Sequence, residues 1–262
     1  MQVVLVGCGR MGGALLRGWL KAGLTPVAVL DPHAEAQPGV IVLANPQAVA
    51  DLSGPLCVVM AVKPAKTAPM LEALAPHLGP DSLVLSVAAG VTLAQMRAAT
   101  GEGPALVRTM PNTPAGIGKG AVGAVAAAEL SETHAAMTKR LLDAAGEVFW
   151  LDHEDLIDAV IGVSGSGPAY FYRFTEMLAQ AGEKLGLTPD MAKRLAELTF
   201  TGSAAWLEAS GKSPDELRVE VTSPNGTTAA ALAVFDKDDR LGVLLNDATQ
   251  ACVARAQEMS RG

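Results

Sequence analysis

Short, unbroken apolar runs separated by amphipathic stretches dominate the first part of the chain. Residues 2–6, 27–30, 56–62, 83–87 and 105–108 are such runs, and a last strand is expected around 146–151. Polar residues do not alternate within them, which is how strands buried on both faces of a parallel sheet read. Residues 12–22 carry apolar side chains at helical spacing and close on Gly23. Helical patterns lie between several of the other runs, so the order predicts β-α-β units with right-handed crossovers.

The pattern changes near Asp152, where strand signals stop. Residues 156–162 read as helical, and Gly167-Pro168 opens a long helix with proline in its first turn. Thr188 is expected to cap the next helix, ahead of Pro189-Asp190. Ser213-Pro214-Asp215-Glu216 spells a capping box. An Ala-rich helix begins at Thr227, and residues 240–259 form the last. The expected division is an α/β domain over residues 1–152 and an all-α domain over 153–262, with no low-complexity linker and no internal repeat.

Composition narrows the function. A chain of 262 residues buries a core without disulfides or metals. Half of its residues are hydrophobic but only 4% are aromatic, so small aliphatic side chains must build that core. The net charge is −7, and no basic cluster exceeds the Lys139-Arg140 pair. That argues against nucleic acid and against an anionic membrane surface as partners. Mean hydropathy is positive, yet the longest candidate runs, 55–62 and 121–128, fall far short of the roughly 20 residues a spanning helix needs. The N-terminus opens directly into strand residues without a basic leader, so a cytoplasmic location is expected. Cys8, Cys57 and Cys252 are odd in number and form no C-x-x-C, which reads as reduced thiols. His33, His77, His134 and His153 show no metal-ligand spacing, and no metal site is expected.

Gly7-Cys8-Gly9-Arg10-Met11-Gly12 is a G-x-G-x-x-G between the first strand and the first helix. Such a loop alone is a weak signal, but this context is the one dinucleotide binding requires. Gly7 permits a tight turn, Gly9 lets backbone approach a pyrophosphate, and Gly12 lets the helix pack against the sheet. The helix start then offers free N–H groups and a partial positive charge. Asp31 follows Gly12 by 19 residues at the end of the second strand. It reads either as an acceptor for a ribose 2′-hydroxyl, which favours NADH over NADPH, or as the opening of an Asp-Pro turn. Ala61-Val62-Lys63-Pro64 closes the third strand, where ligands sit in open α/β sheets; an exposed turn lysine is the plainer reading of Lys63. Residues 86–90 are small enough to admit a flat ring or a ribose. Asn112 stands in the stiff loop Met110-Pro111-Asn112-Thr113-Pro114, either facing the nicotinamide or simply shaping a turn.

Two small-residue motifs in the second part precede helices: Ser164-Gly165-Ser166-Gly167-Pro168 and Thr222-Ser223-Pro224-Asn225-Gly226-Thr227-Thr228. Each is a candidate seat for a small anion such as a carboxylate, and capping alone would also explain the first. No His–acid–Ser arrangement and no paired carboxylates stand out. Hydride transfer fits that inventory, because the cofactor carries the chemistry and the protein supplies orientation.

Taken in order, the glycine motif, Ala61-Val62-Lys63-Pro64, residues 86–91, Asn112-Thr113-Pro114, residues 163–170 and above all 214–236 resemble the pyrroline-5-carboxylate reductase family. The resemblance covers essentially the whole chain. It implies a Rossmann-like N-terminal domain, a helical dimerisation domain, and reduction of 1-pyrroline-5-carboxylate to L-proline, the last step of proline biosynthesis, with NADH or NADPH. It implies a homodimer or a higher assembly of dimers. By position, Thr228 would hydrogen-bond the ring nitrogen, and Ser223, Gly226 and Thr227 would hold the substrate carboxylate. Asn45, Lys63, Ala88 and Ala89 would line the cofactor. Asn225 departs from a glycine common in relatives, Asp31 from a small hydroxyl residue, and Glu220 from an asparagine. A related 3-hydroxyacid dehydrogenase reading fails because Phe171 stands where that family needs a lysine acid. A non-catalytic nucleotide-binding regulator is the remaining rival.

Overall fold

The computed structural model describes residues 1–261. It contains two compact units: residues 1–166 together with those from Ala251 onward, and residues 167–250.

The first unit is built on one eight-stranded sheet. Its strands are β1 (Gln2–Val6), β2 (Val27–Leu30), β3 (Val40–Val42), β4 (Leu56–Met60), β5 (Leu83–Ser86), β6 (Ala105–Met110), β7 (Gly120–Ala126) and β8 (Gly146–Trp150), in spatial order β3-β2-β1-β4-β5-β6-β7-β8. Helices α1 (Arg10–Lys21), α2 (Pro64–Leu74), α3 (Leu93–Thr100) and α4 (Glu132–Asp143) run between strands, followed by α5 (Leu156–Val160). Alternate residues of β1 enter opposite cores. Val4 and Val6 pack with Val58, Leu71, Met96 and Ile157. Val3 and Leu5 pack with Leu15, Trp19, Leu85 and Leu141. A strand buried on both faces cannot afford polar alternation, which explains the unbroken apolar runs. Each fully buried leucine contributes about 1.5–3 kcal/mol. The Trp19 indole N–H finds its partner in the Leu141 carbonyl at 2.9 Å.

Two strands were not expected, and each has a reason. β3 is three residues long at a partly exposed edge. β7 is a Gly-Ala-Val stretch with little strand propensity. Its small residues serve packing, since a Cβ on Gly123 would stand 2.9 Å from both γ-carbons of Val160 in α5. β7 also breaks the parallel rule, pairing antiparallel with β6. Only residues 111–119, including a 3-10 helix at Thr113–Ile117, connect the two strands. That is fewer than the dozen or so a parallel crossover takes.

Beyond β8, every described element is helical. Helix α5 passes through a π-helical turn, Ile161–Gly165, into α6 (Gly167–Lys184). The expected loop at Ser164-Gly165-Ser166 is therefore a widened turn. The Ser166 N–H bonds the Ile161 carbonyl at 2.8 Å and the Ser164 hydroxyl donates to the Val160 carbonyl at 3.1 Å. This corrects the expectation of a helix start there with free N–H groups, and with it the first anion seat.

In the second unit α6 pairs with α7 (Pro189–Ser210), followed by α8 (Pro214–Glu220), α9 (Thr227–Asp236) and the beginning of α10 (Arg240–Arg261). Phe171 stacks on Phe200 at 5.8 Å, while Gly182 lies against Ala192, so α6 and α7 run antiparallel. Thr188 occupies the N-cap of α7, but its hydroxyl makes no capping bond, contrary to expectation. The capping box of α8 forms with both reciprocal bonds, between Ser213 and Glu216. Among the described residues of this unit the buried apolar side chains are only Ala192 and Ala196. Phe171, Tyr172, Trp206, Val234 and Leu244 are exposed. So much uncovered apolar surface on one protomer is the signature of an interface.

Candidate functional site

In the first unit the carboxyl ends of β1, β2, β4 and β5 are level, and β6 runs two residues past them. Val6 pairs with Leu30 and Met60, Met60 with Ser86, and Ser86 with Arg108. The residues that follow those ends therefore share one edge of the sheet, where open α/β folds bind ligands.

The glycine loop follows β1. Gly7 has φ +91°, and a Cβ there would stand 2.8 Å from the Ala61 carbonyl oxygen and from Val62 Cγ1. A Cβ on Gly12 would run into the Gly7 carbonyl oxygen. These two glycines are demanded by the protein itself. Gly9 is different: it is the N-cap of α1, and a Cβ there would meet nothing within 4 Å. The first turn of α1, through Arg10 and Met11, has no side-chain cap and no acidic residue. Open space beside uncapped N–H groups suits a pyrophosphate.

Asp31, just beyond β2, bonds this loop with one carboxylate oxygen and its own turn with the other. Its Oδ2 accepts the Cys8 backbone N–H at 2.7 Å and its Oδ1 accepts the His33 N–H at 2.8 Å. The second bond makes the Asp-Pro turn, and the first ties that turn to the glycine loop. Burial by itself would raise this carboxyl, but the Cys8 and His33 N–H groups and the charges of His33 and Lys66 hold it below the usual carboxylate range. The neighbouring Cys8 thiol is pushed up, by burial first and by the Asp31 charge second, with Arg17 opposing. It is a thiol at neutral pH.

After β4, Ala61 donates its N–H to the Val6 carbonyl at 2.8 Å, and Lys63 caps α2 with an extended backbone ahead of Pro64. Asn45 caps the 3-10 helix Pro46–Asp51, its side-chain oxygen accepting the Ala48 N–H at 3.1 Å. After β5, the Ala88 N–H bonds the Ser86 hydroxyl at 3.2 Å, with Ala89 beside it and Gly90 at φ +79°. A cavity of about 590 Å³ opens against Lys63, Pro64, Ala68, Gly90, Val91 and Met259. Asn112 is buried. Its oxygen accepts the Ala121 N–H at 3.0 Å and its nitrogen donates to the Ser164 carbonyl at 3.1 Å. Both ends of the amide are thus engaged within the protein, which fits the stiff-turn reading of this loop.

In the second unit, residues 221–226 join α8 to α9. The Gly226 N–H bonds the Ser223 carbonyl at 3.0 Å, closing a turn with Pro224 second and Asn225 third at φ +60°. That is the type II pattern, which calls for glycine or asparagine at the third position. Asparagine at Asn225 meets that requirement without a glycine. A Cβ on Gly226 would collide with the Ser223 hydroxyl. Gly226 is the N-cap of α9, and no side chain caps that helix. Its first turn carries the Thr227 and Thr228 hydroxyls, and the Ser223 hydroxyl sits beside the turn. A carboxylate could take the open N–H groups, and a hydroxyl could donate to or accept from a ring nitrogen. Glu220 forms an ion pair with Lys212.

Residues 154–259 match a model described as pyrroline-5-carboxylate reductase dimerisation. Residues 2–90 match one described as NADP oxidoreductase, coenzyme F420-dependent. A pyrroline-5-carboxylate reductase of Pseudomonas aeruginosa is 40% identical, covering 99% of this chain and 97% of its own. A solved pyrroline-5-carboxylate reductase of Coxiella burnetii superposes with a TM-score of 0.90 at 32% identity, covering 99% of this chain and 98% of its own. The Plasmodium falciparum pyrroline carboxylate reductase, solved with NADP bound, gives 0.84 at 25% identity, again covering 99% and 98%.

Proposed function

The chain belongs to the pyrroline-5-carboxylate reductase family, and from that premise we propose how its residues divide the work. The enzyme reduces 1-pyrroline-5-carboxylate to L-proline with NAD(P)H. The nicotinamide cofactor supplies the hydride when bound. The Gly7–Gly12 loop fits its pyrophosphate, because Gly9 leaves open space beside an uncapped helix start. Asn45, Ala61, Val62, Lys63, Pro64, Ala88 and Ala89 line the remainder, with Asn112 holding the adjoining loop in shape. Asp31 takes the adenosine ribose. Its carboxyl is ionised at neutral pH and opposes a 2′-phosphate, so NADH is preferred over NADPH.

The observation that carries the substrate half is the uncapped start of α9 behind the Ser223–Gly226 turn. Ser223, Gly226 and Thr227 hold the substrate carboxylate there. Thr228 holds the ring nitrogen, and is the residue we assign to catalysis. An imine that arrives protonated needs no strong acid, only a hydroxyl to orient it. The exposed apolar faces of α6, α7, α9 and α10, together with the match to a dimerisation model, support a homodimer. Among the described residues no helix is long and apolar enough to cross a membrane, in keeping with a reaction in the cytoplasm.

The test is absorbance at 340 nm with purified protein, the imine, and NADH or NADPH in parallel. Imine-dependent loss of absorbance, faster with NADH, is expected. Protein that binds NADH yet shows no loss with either cofactor would overturn the assignment.

A further inference from the structure

Arg108 and Glu154 form a brace that no motif announces. Arg108 lies on β6 level with Ser86, and its side chain is 4% exposed. A guanidinium so placed needs partners. Its Nη1 donates to Glu154 Oε1 at 2.8 Å, and its Nη2 lies 3.8 Å from Asp158 Oδ1 without a hydrogen-bond partner. The same Glu154 oxygen accepts the Leu93 backbone N–H at 2.8 Å.

Leu93 is the first residue of α3, so its N–H is one that the helix cannot satisfy itself. Thr92 and Gln95 form a capping box that takes two other donors. Glu154, from just before α5, takes the Leu93 donor from outside the helix. Arg108 holds that carboxylate in place.

The segment ahead of Leu93 gives this brace its purpose. Residues 87–92 lead from β5 into α3 and carry Ala88 and Ala89. The near end is fixed by the Val87 N–H on the Met60 carbonyl at 3.0 Å and by Ala88 on Ser86. The far end is fixed at Leu93. Between them, Gly90 passes so close to α10 that a Cβ would stand 3.1 Å from Met259 Cβ. A shift of Leu93 would therefore be passed back to Ala88 and Ala89.

We propose that Arg108 and Glu154 are positioning residues for the nicotinamide cofactor, anchoring the far end of the β5–α3 loop while touching no reacting atom. This rests on the reading that Ala88 and Ala89 face the cofactor. A merely structural ion pair would disturb all kinetic constants together. A positioning pair moves the cofactor constants alone.

The test is steady-state kinetics on the full-length enzyme, with NADH affinity measured separately by fluorescence. Glu154→Asp keeps the charge but draws the carboxylate back by one methylene, so it cannot reach both partners. Glu154→Gln keeps an oxygen for the Leu93 N–H. Glu154→Asp is expected to raise the cofactor KM and Kd roughly 5–30-fold, with the imine KM and kcat within about twofold. Glu154→Gln should stay within about threefold of the parent in every constant. An unmoved cofactor KM in Glu154→Asp, or an imine KM that rises as much, overturns the proposal. Should Glu154→Asp not fold, Arg108→Lys reads the same split with the same two outcomes. Ala89→Val, which crowds the loop directly, separates the failures. If it raises the cofactor KM while Glu154→Asp does not, only the brace is wrong. If neither moves it, the cofactor reading of the loop falls as well.

Discussion

The Asp31 carboxylate accepts the backbone N–H of Cys8 at 2.7 Å. The residue assigned to cofactor choice is therefore also a strut of the glycine-rich loop, and its substitution should have two separable effects. Asp31→Ser removes the charge that opposes a 2′-phosphate. The ratio of kcat/KM for NADPH over NADH is expected to rise about tenfold or more, equivalent to about 1.4 kcal/mol. The absolute NADH efficiency should fall as well, because Cys8 loses its acceptor. Parallel assays with the two cofactors give both numbers, and an unchanged ratio removes Asp31 from discrimination.

The low Asp31 carboxyl sets a pH window. Its folded-state value lies below the ordinary 3.8, so its contribution is present above that value and is lost only as pH falls further. NADH affinity, read by fluorescence titration, should show no Asp31-dependent step between about pH 5 and 8. A step in that range that vanishes in Asp31→Asn contradicts this.

Gly12→Ala places a methyl group against the Gly7 carbonyl oxygen. The backbone must shift, at a cost of about 1–3 kcal/mol. NADH binding should weaken because the loop moves with it. Calorimetry together with a binding titration reads both effects. Gly9→Ala, which meets no protein atom, should leave stability within about 0.5 kcal/mol and impair binding alone.

Asn225 sits at φ +60° in the turn before α9. Asn225→Gly should be nearly neutral, whereas Asn225→Val should cost about 1–2 kcal/mol. The two melting curves decide it, and equal curves would mean the turn relaxes without penalty.

Thr228→Ala should lower kcat/KM for the imine roughly 10–1000-fold, the effect of one or two hydrogen bonds lost in the transition state. NADH affinity should hold. A parent-like rate takes Thr228 out of the mechanism.

The sequence announced what depends on burial and on local turn chemistry. The runs that became β1, β2, β4, β5 and the start of β6 were legible because two-sided burial leaves little room for polar residues, whereas β8 lies at a sheet edge with Phe149 and Trp150 half exposed and was announced by its apolar residues alone. β7 was not, because its glycines and alanines answer to the packing of α5 rather than to strand propensity. The Ser164–Ser166 segment reads as a loop by composition, yet a π turn absorbs it, and only the carbonyls four and five residues back reveal that. Asn112 was noticed for a ligand it could touch. Its partners, Ala121 and Ser164, are set by tertiary structure and leave no local trace. Arg108 and Glu154, likewise, carry no spacing that links them.

The first unit is discontinuous: the chain leaves it after Ser166 and returns at Ala251. Ala256 is buried in the same core as Val6 and Met60, with Cys252 packed against it. A single cut near residue 166 would therefore not release the nucleotide-binding part as a working piece, since the returning helix would remain on the other fragment. Excising residues 167–250 takes two cuts. In this topology the helical unit is an insertion, and the returning helix is a plug supplied after it: on the ribosome, the nucleotide-binding core stays incomplete until the residues beyond 250 have been made.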